Sequence, residues 1–112
     1  MNIVLYQIIG DTDEKRRARF MSINAIKQMY PYHFPSHLYT EAWSGEVHGA
    51  KTLEDIYHAL NRVNGDIEDF HCRSMSVSDV IGVKNQNGSI RYDYCDVLGF
   101  KEIDFKPEEI PV

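Results

Sequence analysis

VIGVKNQNGSIRYDYCD, residues Val80 to Asp96, decides the fold. Two β-rich segments flank Asn87-Gly88, a dipeptide that accepts positive φ at both positions and so favours a tight hairpin. The sequence predicts a strand from Val80 to Lys84, a turn over Asn85 to Gly88 and a return strand from Ser89 to Asp96. On the return strand Ile90, Tyr92 and Tyr94 share one parity, and Arg91, Asp93 and Cys95 the other. The first set is expected in the core and the charged set in solvent.

The hairpin needs neighbours. Residues Asn2 to Ile9 are apolar and β-branched and read as another strand. LYTEAWSGEV supplies a strand from Leu38 to Trp43, expected at an edge and ended near Ser44-Gly45. GFKEIDF adds a last strand from Phe100 to Phe105. The clearest helix is TLEDIYHALNRVNG, where Leu53, Ile56, Tyr57, Leu60 and Val63 follow the i, i+3, i+4, i+7 stripe. Thr52 is its N-cap, Asp55 completes a capping-box pair, and Asn64-Gly65 is its stop. SINAIKQMYP predicts a shorter helix, capped by Ser22 and ended by Pro31. Between strand and helix, GDTDEKRRAR reads as a solvated loop or hairpin arm, in preference to the alternative of one longer helix from Asp13 to Tyr30, which the absence of Gly and Pro also allows. The fold class is therefore α+β: a mixed, mostly antiparallel sheet with two helices packed on one face and a C-terminal β-hairpin.

With 112 residues, 43% of them hydrophobic, the chain fits one domain, residues 1–105. The polar tail 106–112 carries two prolines and is expected to fray. Two cysteines do not make a disulfide framework. No apolar run approaches the roughly 20 residues of a membrane span. MNIVLYQIIG has neither a basic start nor a small-residue cleavage site, so a cytoplasmic protein is expected, with no membrane partner. The net charge of −5 disfavours nucleic acid as the main partner, because phosphate neutralisation needs a basic face.

Candidate chemistry is sparse. His33 and His37 have the spacing of a helical zinc pair, but Pro35 lies between them. His48, His58, His71, Cys72 and Cys95 are scattered, and adjacent His71 and Cys72 point to opposite faces if extended. Cys72 with His71 and Asp69 or Asp79 makes a poor triad, since neighbours in sequence rarely meet in that geometry. There is no Gly-x-Ser-x-Gly elbow for Ser74, Ser76 or Ser78, and no phosphate-binding glycine loop. Glu54 and Asp55 suit a helix start, and Asp66, Glu68 and Asp69 a turn. No metal, cofactor or catalytic residue is assigned. The one basic knot is Lys15, Arg16, Arg17 and Arg19, whose functional alternative to a solvated loop is contact with an acidic partner or a phosphate.

RSMSVSDVIGV, residues Arg73 to Val83, places serines at every second position before a strand. Ser76-x-x-Asp79 matches a capping box, but a β-branched segment follows, so no helix is expected there. Ser and Asp side chains are expected instead to hold backbone N–H groups where the loop bends into the strand, with Arg73 anchoring the segment.

RSMSVSDVI followed by YDYCDVLGF resembles the C-terminal signature of the YodL-like domain family, through Arg73 to Val80, then Tyr94, Asp96, Gly99 and Phe100. YQI near the start, RFM at Arg19 to Met21, YTEAW and TLEDIYHALN follow the family's order too. The resemblance implies an accessory module of bacterial or phage mobile genetic elements and polyvalent proteins, with no established catalytic residues. The function expected from it is a non-enzymatic protein-interaction module, acting on a host or element protein. A counter-defence role is its specific form, as inhibitor of a host nuclease or CRISPR effector. The interaction candidates are Arg16, Arg17, Arg19, Trp43, Arg73, Ser76 and Asp79. The alternative is a small nucleic-acid module using Tyr92, Tyr94 and the Lys15–Arg19 cluster. A third reading, a small thiol enzyme, needs an exposed cysteine with a depressed pKa.

Overall fold

The computed structural model describes residues 1–61 and 72–111. Expectations for Val63, Asn64-Gly65, Asp66, Glu68, Asp69 and His71 fall outside that range. Five strands form one antiparallel sheet: β1 Asn2–Gln7, β2 Thr40–Glu46, β3 Val80–Lys84, β4 Ile90–Asp96 and β5 Gly99–Glu102. Their order is β2-β1-β3-β4-β5, so the hairpin joins the rest of the sheet through β1. The α+β class stands, with α1 Asp13–Ala18, α2 Ile23–Met29 and α3 Leu53–Leu60 around the sheet.

The helices do not share a face. Val4 and Tyr6 of β1, with Ile8 just beyond it, pack with Ile23 and Ile26 of α2, whereas Ile3 and Leu5 pack with Ile56 and Leu60 of α3. Alternate strand residues point to opposite sides, so α2 and α3 cover opposite faces of the sheet. This corrects the expected single helical layer. The reason lies in β1, a continuous apolar run whose two faces both need cover.

The same arrangement corrects β4. Tyr94 is buried as expected, but Asp93 and Cys95, on the other parity, are buried too. Asp93 is tolerated because Arg91, two residues away on the same face, holds both its oxygens at 3.0 and 3.1 Å. Ile90, near the hairpin turn, is partly exposed.

Within GDTDEKRRAR, Asp13–Ala18 forms a helix rather than a loop. Thr12 caps α1 through the Lys15 N–H, Asp13 and Glu14 occupy the first turn, and the basic residues fill the last. β2 starts and ends later than expected, since Ser36–Leu38 forms a 3-10 turn and the strand continues through Gly45. A Cβ at Gly45 would lie 2.8 Å from the Trp43 indole, so glycine here makes room for a ring rather than ending a strand. The Thr52–Asp55 capping box forms in full. β5 stops at Glu102, and Phe105 folds back into the α2-side core. The tail does not fray at its start: Pro107–Glu109 is a 3-10 turn and Ile110 packs on that core.

Candidate functional site

The loop from Arg73 to Asp79 enters β3 at the sheet end where β1 finishes and β4 turns into β5. Asp79 has no exposed surface. Its carboxylate accepts the Ser76 N–H at 2.8 Å, the Gln7 side-chain amide at 3.0 Å and Arg73 Nη2 at 3.0 Å. The Asp79 N–H returns to the Ser76 carbonyl at 3.1 Å. The Ser76-x-x-Asp79 spacing thus works as half a capping box: the acid reaches back three residues, around a turn instead of a helix start.

That turn has Ser78 at its third position with φ 85°, a region that favours glycine. A second turn, Ala18 to Met21, repeats the feature. Arg19 has φ −63° and ψ 134°, and Phe20 follows at φ 69°. This is the type II pattern, with a phenylalanine where glycine is favoured. The two turns are joined, because the Phe20 N–H donates to Ser78 Oγ at 3.0 Å. A glycine at 78 would relieve the backbone but remove that acceptor.

Other elements close the corner. The Tyr39 hydroxyl donates to the Ser78 carbonyl at 2.5 Å, and the Tyr94 hydroxyl to the Met21 carbonyl at 2.6 Å. The Gln7 amide also donates to the Arg73 carbonyl at 3.0 Å. Asp96 Oδ1 accepts the N–H of Ile23 at 3.1 Å and of Val97 at 2.9 Å, tying the start of α2 to the β4–β5 turn. The Arg73 guanidinium lies 5.3 Å from the centre of the Phe20 ring, within cation–π range.

Burial dominates the electrostatics. It raises the Asp79 pKa, against the lowering effects of the Ser76 N–H, Arg73 and Gln7. Tyr39 is raised well above a normal phenol, first by burial and then by Tyr94 and Asp79. Burial, with Asp79 and Asp96 adding to it, pushes the Cys95 thiol to about 12. Cys72 is raised as well, mainly by burial. Neither thiol has the depressed pKa of a nucleophile. Among the described residues, no three His, Cys, Asp or Glu side chains are grouped to hold a metal ion. No described helix is long and apolar enough to cross a membrane.

Of the sequence candidates, the structure brings Arg73, Ser76 and Asp79 together. Arg19 borders them but turns inward, donating to the carbonyls of Ile8 at 3.0 Å and of Gly10. Lys15 caps the Ile9 carbonyl at 2.9 Å, and Arg16 pairs with Asp11 and Asp13. The basic knot therefore serves mostly to close the end of β1, leaving Arg17 in solvent. Trp43 lies elsewhere, half-buried on β2 opposite Leu5. Sequence reasoning missed Gln7, Phe20 and Tyr39 as parts of one site, whereas Ser78 holds a backbone N–H, that of Phe20, as expected for the serines of this stretch. A lone amide in an apolar strand was the readable signal for Gln7. The positive φ values of Phe20 and Ser78 left no trace in the residue types.

Around this corner the surface is apolar. Ile9 is 45% exposed, Phe20 56%, Val97 65% and Leu98 86%. All four follow the strand ends or turns that meet here.

The family model of the YodL-like domain matches residues 2–105, a span that includes every residue of the corner. No curated protein and no solved structure matches the chain.

Proposed function

The chain belongs to the YodL-like domain family, and on that premise we propose that it is a non-enzymatic protein-interaction module of a mobile genetic element. It acts in the cytoplasm on a host or element protein, in a counter-defence role such as inhibition of a host nuclease or CRISPR effector. The observation that carries this reading is the corner itself. Its buried polar side chains engage one another, while Phe20, Val97 and Leu98 stand in solvent around them. Backbone strain at an exposed aromatic gains little burial, and such outliers cluster where a partner is met.

The test is capture of a stoichiometric partner by the tagged full chain, beside a Phe20→Ser, Leu98→Asp double variant of equal melting temperature. The expected result is a defined protein retained by the first and lost from the second. Transfer of an element into a host carrying the matching nuclease should then rise with the wild-type chain and not with the variant. Absence of any stoichiometric partner refutes the proposal.

The nucleic-acid alternative is the reading these observations favour less. Tyr94 is buried, and the half-buried Tyr92 packs against Tyr6 and Phe105 at ring distances of 6.2 and 5.3 Å, which leaves part of one ring for stacking. Gly82 lets Tyr92 lie close over β3, since a Cβ there would meet its ring at 3.0 Å. Lys15, Arg16 and Arg19 are engaged within the chain.

A further inference from the structure

Beside the β4–β5 turn, a groove of about 290 Å³ opens between α3 and the sheet. Val77, Cys95 and Phe100 supply apolar lining, Tyr57 an aromatic wall, His58 an imidazole, and Glu54 and Asp96 carboxylates, Asp96 already accepting the N–H groups of Ile23 and Val97. Val97, one of the exposed apolar residues, also lines it. Glu54 stands in the first turn of α3 but takes no part in the capping box, which uses Asp55. Among the described residues Glu54 has no ion-pair partner.

We infer that this groove receives an arginine side chain from the partner protein. The inference rests on the interaction reading above and deepens it by stating the chemistry of the contact. An apolar lining suits an aliphatic stem, an aromatic wall suits a guanidinium plane, and two carboxylates, of which only Glu54 is free of backbone N–H bonds, suit its charge. Arginine is also among the residues that most often anchor protein interfaces in pockets. A lysine head, compact and strongly hydrated, matches the charge but not the wall.

The test uses the full chain, labelled with nitrogen-15, titrated with N-acetyl-arginine methylamide. Saturable shifts are expected at the amides of Tyr57, Val97, Gly99 and Phe100. Glu54→Gln, exposed and outside the capping box, should keep the spectrum and melting temperature while weakening binding about fivefold. The lysine and leucine analogues should bind several-fold more weakly. Unchanged affinity in Glu54→Gln, equal binding of either analogue, or shifts spread over other acidic residues overturns the inference. Sedimentation at rising concentration covers the other occupant: self-association that moves the same amides assigns the groove to a second copy and overturns it too. A stoichiometric partner that needs Phe20 and Leu98 but ignores Glu54→Gln removes the arginine and leaves the interaction reading intact. Failure to find a partner removes that reading, whatever the titration shows.

Discussion

Replacing Asp79 with alanine removes the acceptor at the centre of the corner. Three donors lose it: the Ser76 N–H, the Gln7 amide and the Arg73 guanidinium. Hydrogen bonds to a charged group are each worth about 1.5–3 kcal/mol, and breaking a buried pair from one side costs about 3–5 kcal/mol. Two corrections lower the sum. Arg73 is 31% exposed and can turn to water, and the carboxylate's own desolvation cost disappears with it. The expected loss is about 3 kcal/mol at pH 7, a large part of the 5–15 kcal/mol typical of a whole domain. Asp79→Asn keeps one acceptor oxygen and should lose only about 1 kcal/mol. The assay is urea unfolding of the three proteins between pH 4 and pH 8. The pH trend has a definite sign. Asp79 has a raised pKa in the folded chain, so its contribution is fully present below the unfolded value and falls as pH rises through the folded one. The stability gap between wild type and Asp79→Asn should therefore narrow with rising pH across that window. A gap that widens would mean that bonding outweighs burial. A loss below about 1 kcal/mol for the alanine variant would mean that Asp79 does not hold the corner.

Four further outcomes are expected. Ser78→Gly relieves the backbone but strands the Phe20 N–H, whereas Ser78→Ala loses the bond without relief; denaturant melts should place alanine below glycine by about 1 kcal/mol. Phe20→Gly exchanges about 0.5–1 kcal/mol of cation–π contact for a similar relief of strain, so melting should stay within a few degrees. A collapse of the fold in that variant would contradict the assignment of an exposed, strained ring. Tyr6 and Tyr30 both titrate near 12, mainly through burial, so the folded state keeps protons that the unfolded chain releases near 10. Stability should fall as pH rises from 10 to 12, and absorbance titration of the native protein should show these phenols ionising late. Thiol labelling at pH 8 should modify Cys72 first and reach buried Cys95 only as the chain unfolds.

Elements with strong local signals were legible in the sequence. Thr52 and Asp55 announce α3, and Asn87-Gly88 announces the hairpin, because each is a short-range arrangement of one residue and its near neighbours. α1 was misread although Thr12, the acidic first turn and the basic last turn form a helix-terminus pattern. Its apolar content is too low for a stripe, and charge order was the only available sign. The two covered faces were also written in β1, where an unbroken apolar run replaced alternation. Arg73 and Asp79 pair as neighbours in sequence and could be suspected. Gln7, Phe20 and Tyr39 join them only through tertiary placement, which no spacing encodes. The hidden cost of Ser78 and Phe20 lies in dihedral angles, to which composition is blind.

The corner has a consequence for how the chain reaches its fold. Gln7 meets Asp79 across 72 residues, Phe20 meets Ser78 across 58, and Tyr94 meets Met21 across 73. β1 itself stands between β2 and β3, so its second edge waits for a strand made far later. Contacts of such long separation return nothing until a large loop has been closed. The first half of the chain therefore cannot settle by itself, and a ribosome must release the β4 segment before the strained turns can lock. If the domain were fused to others in one longer chain, its folding would depend on finishing its own last strands before its neighbours compete for the open edge of β1.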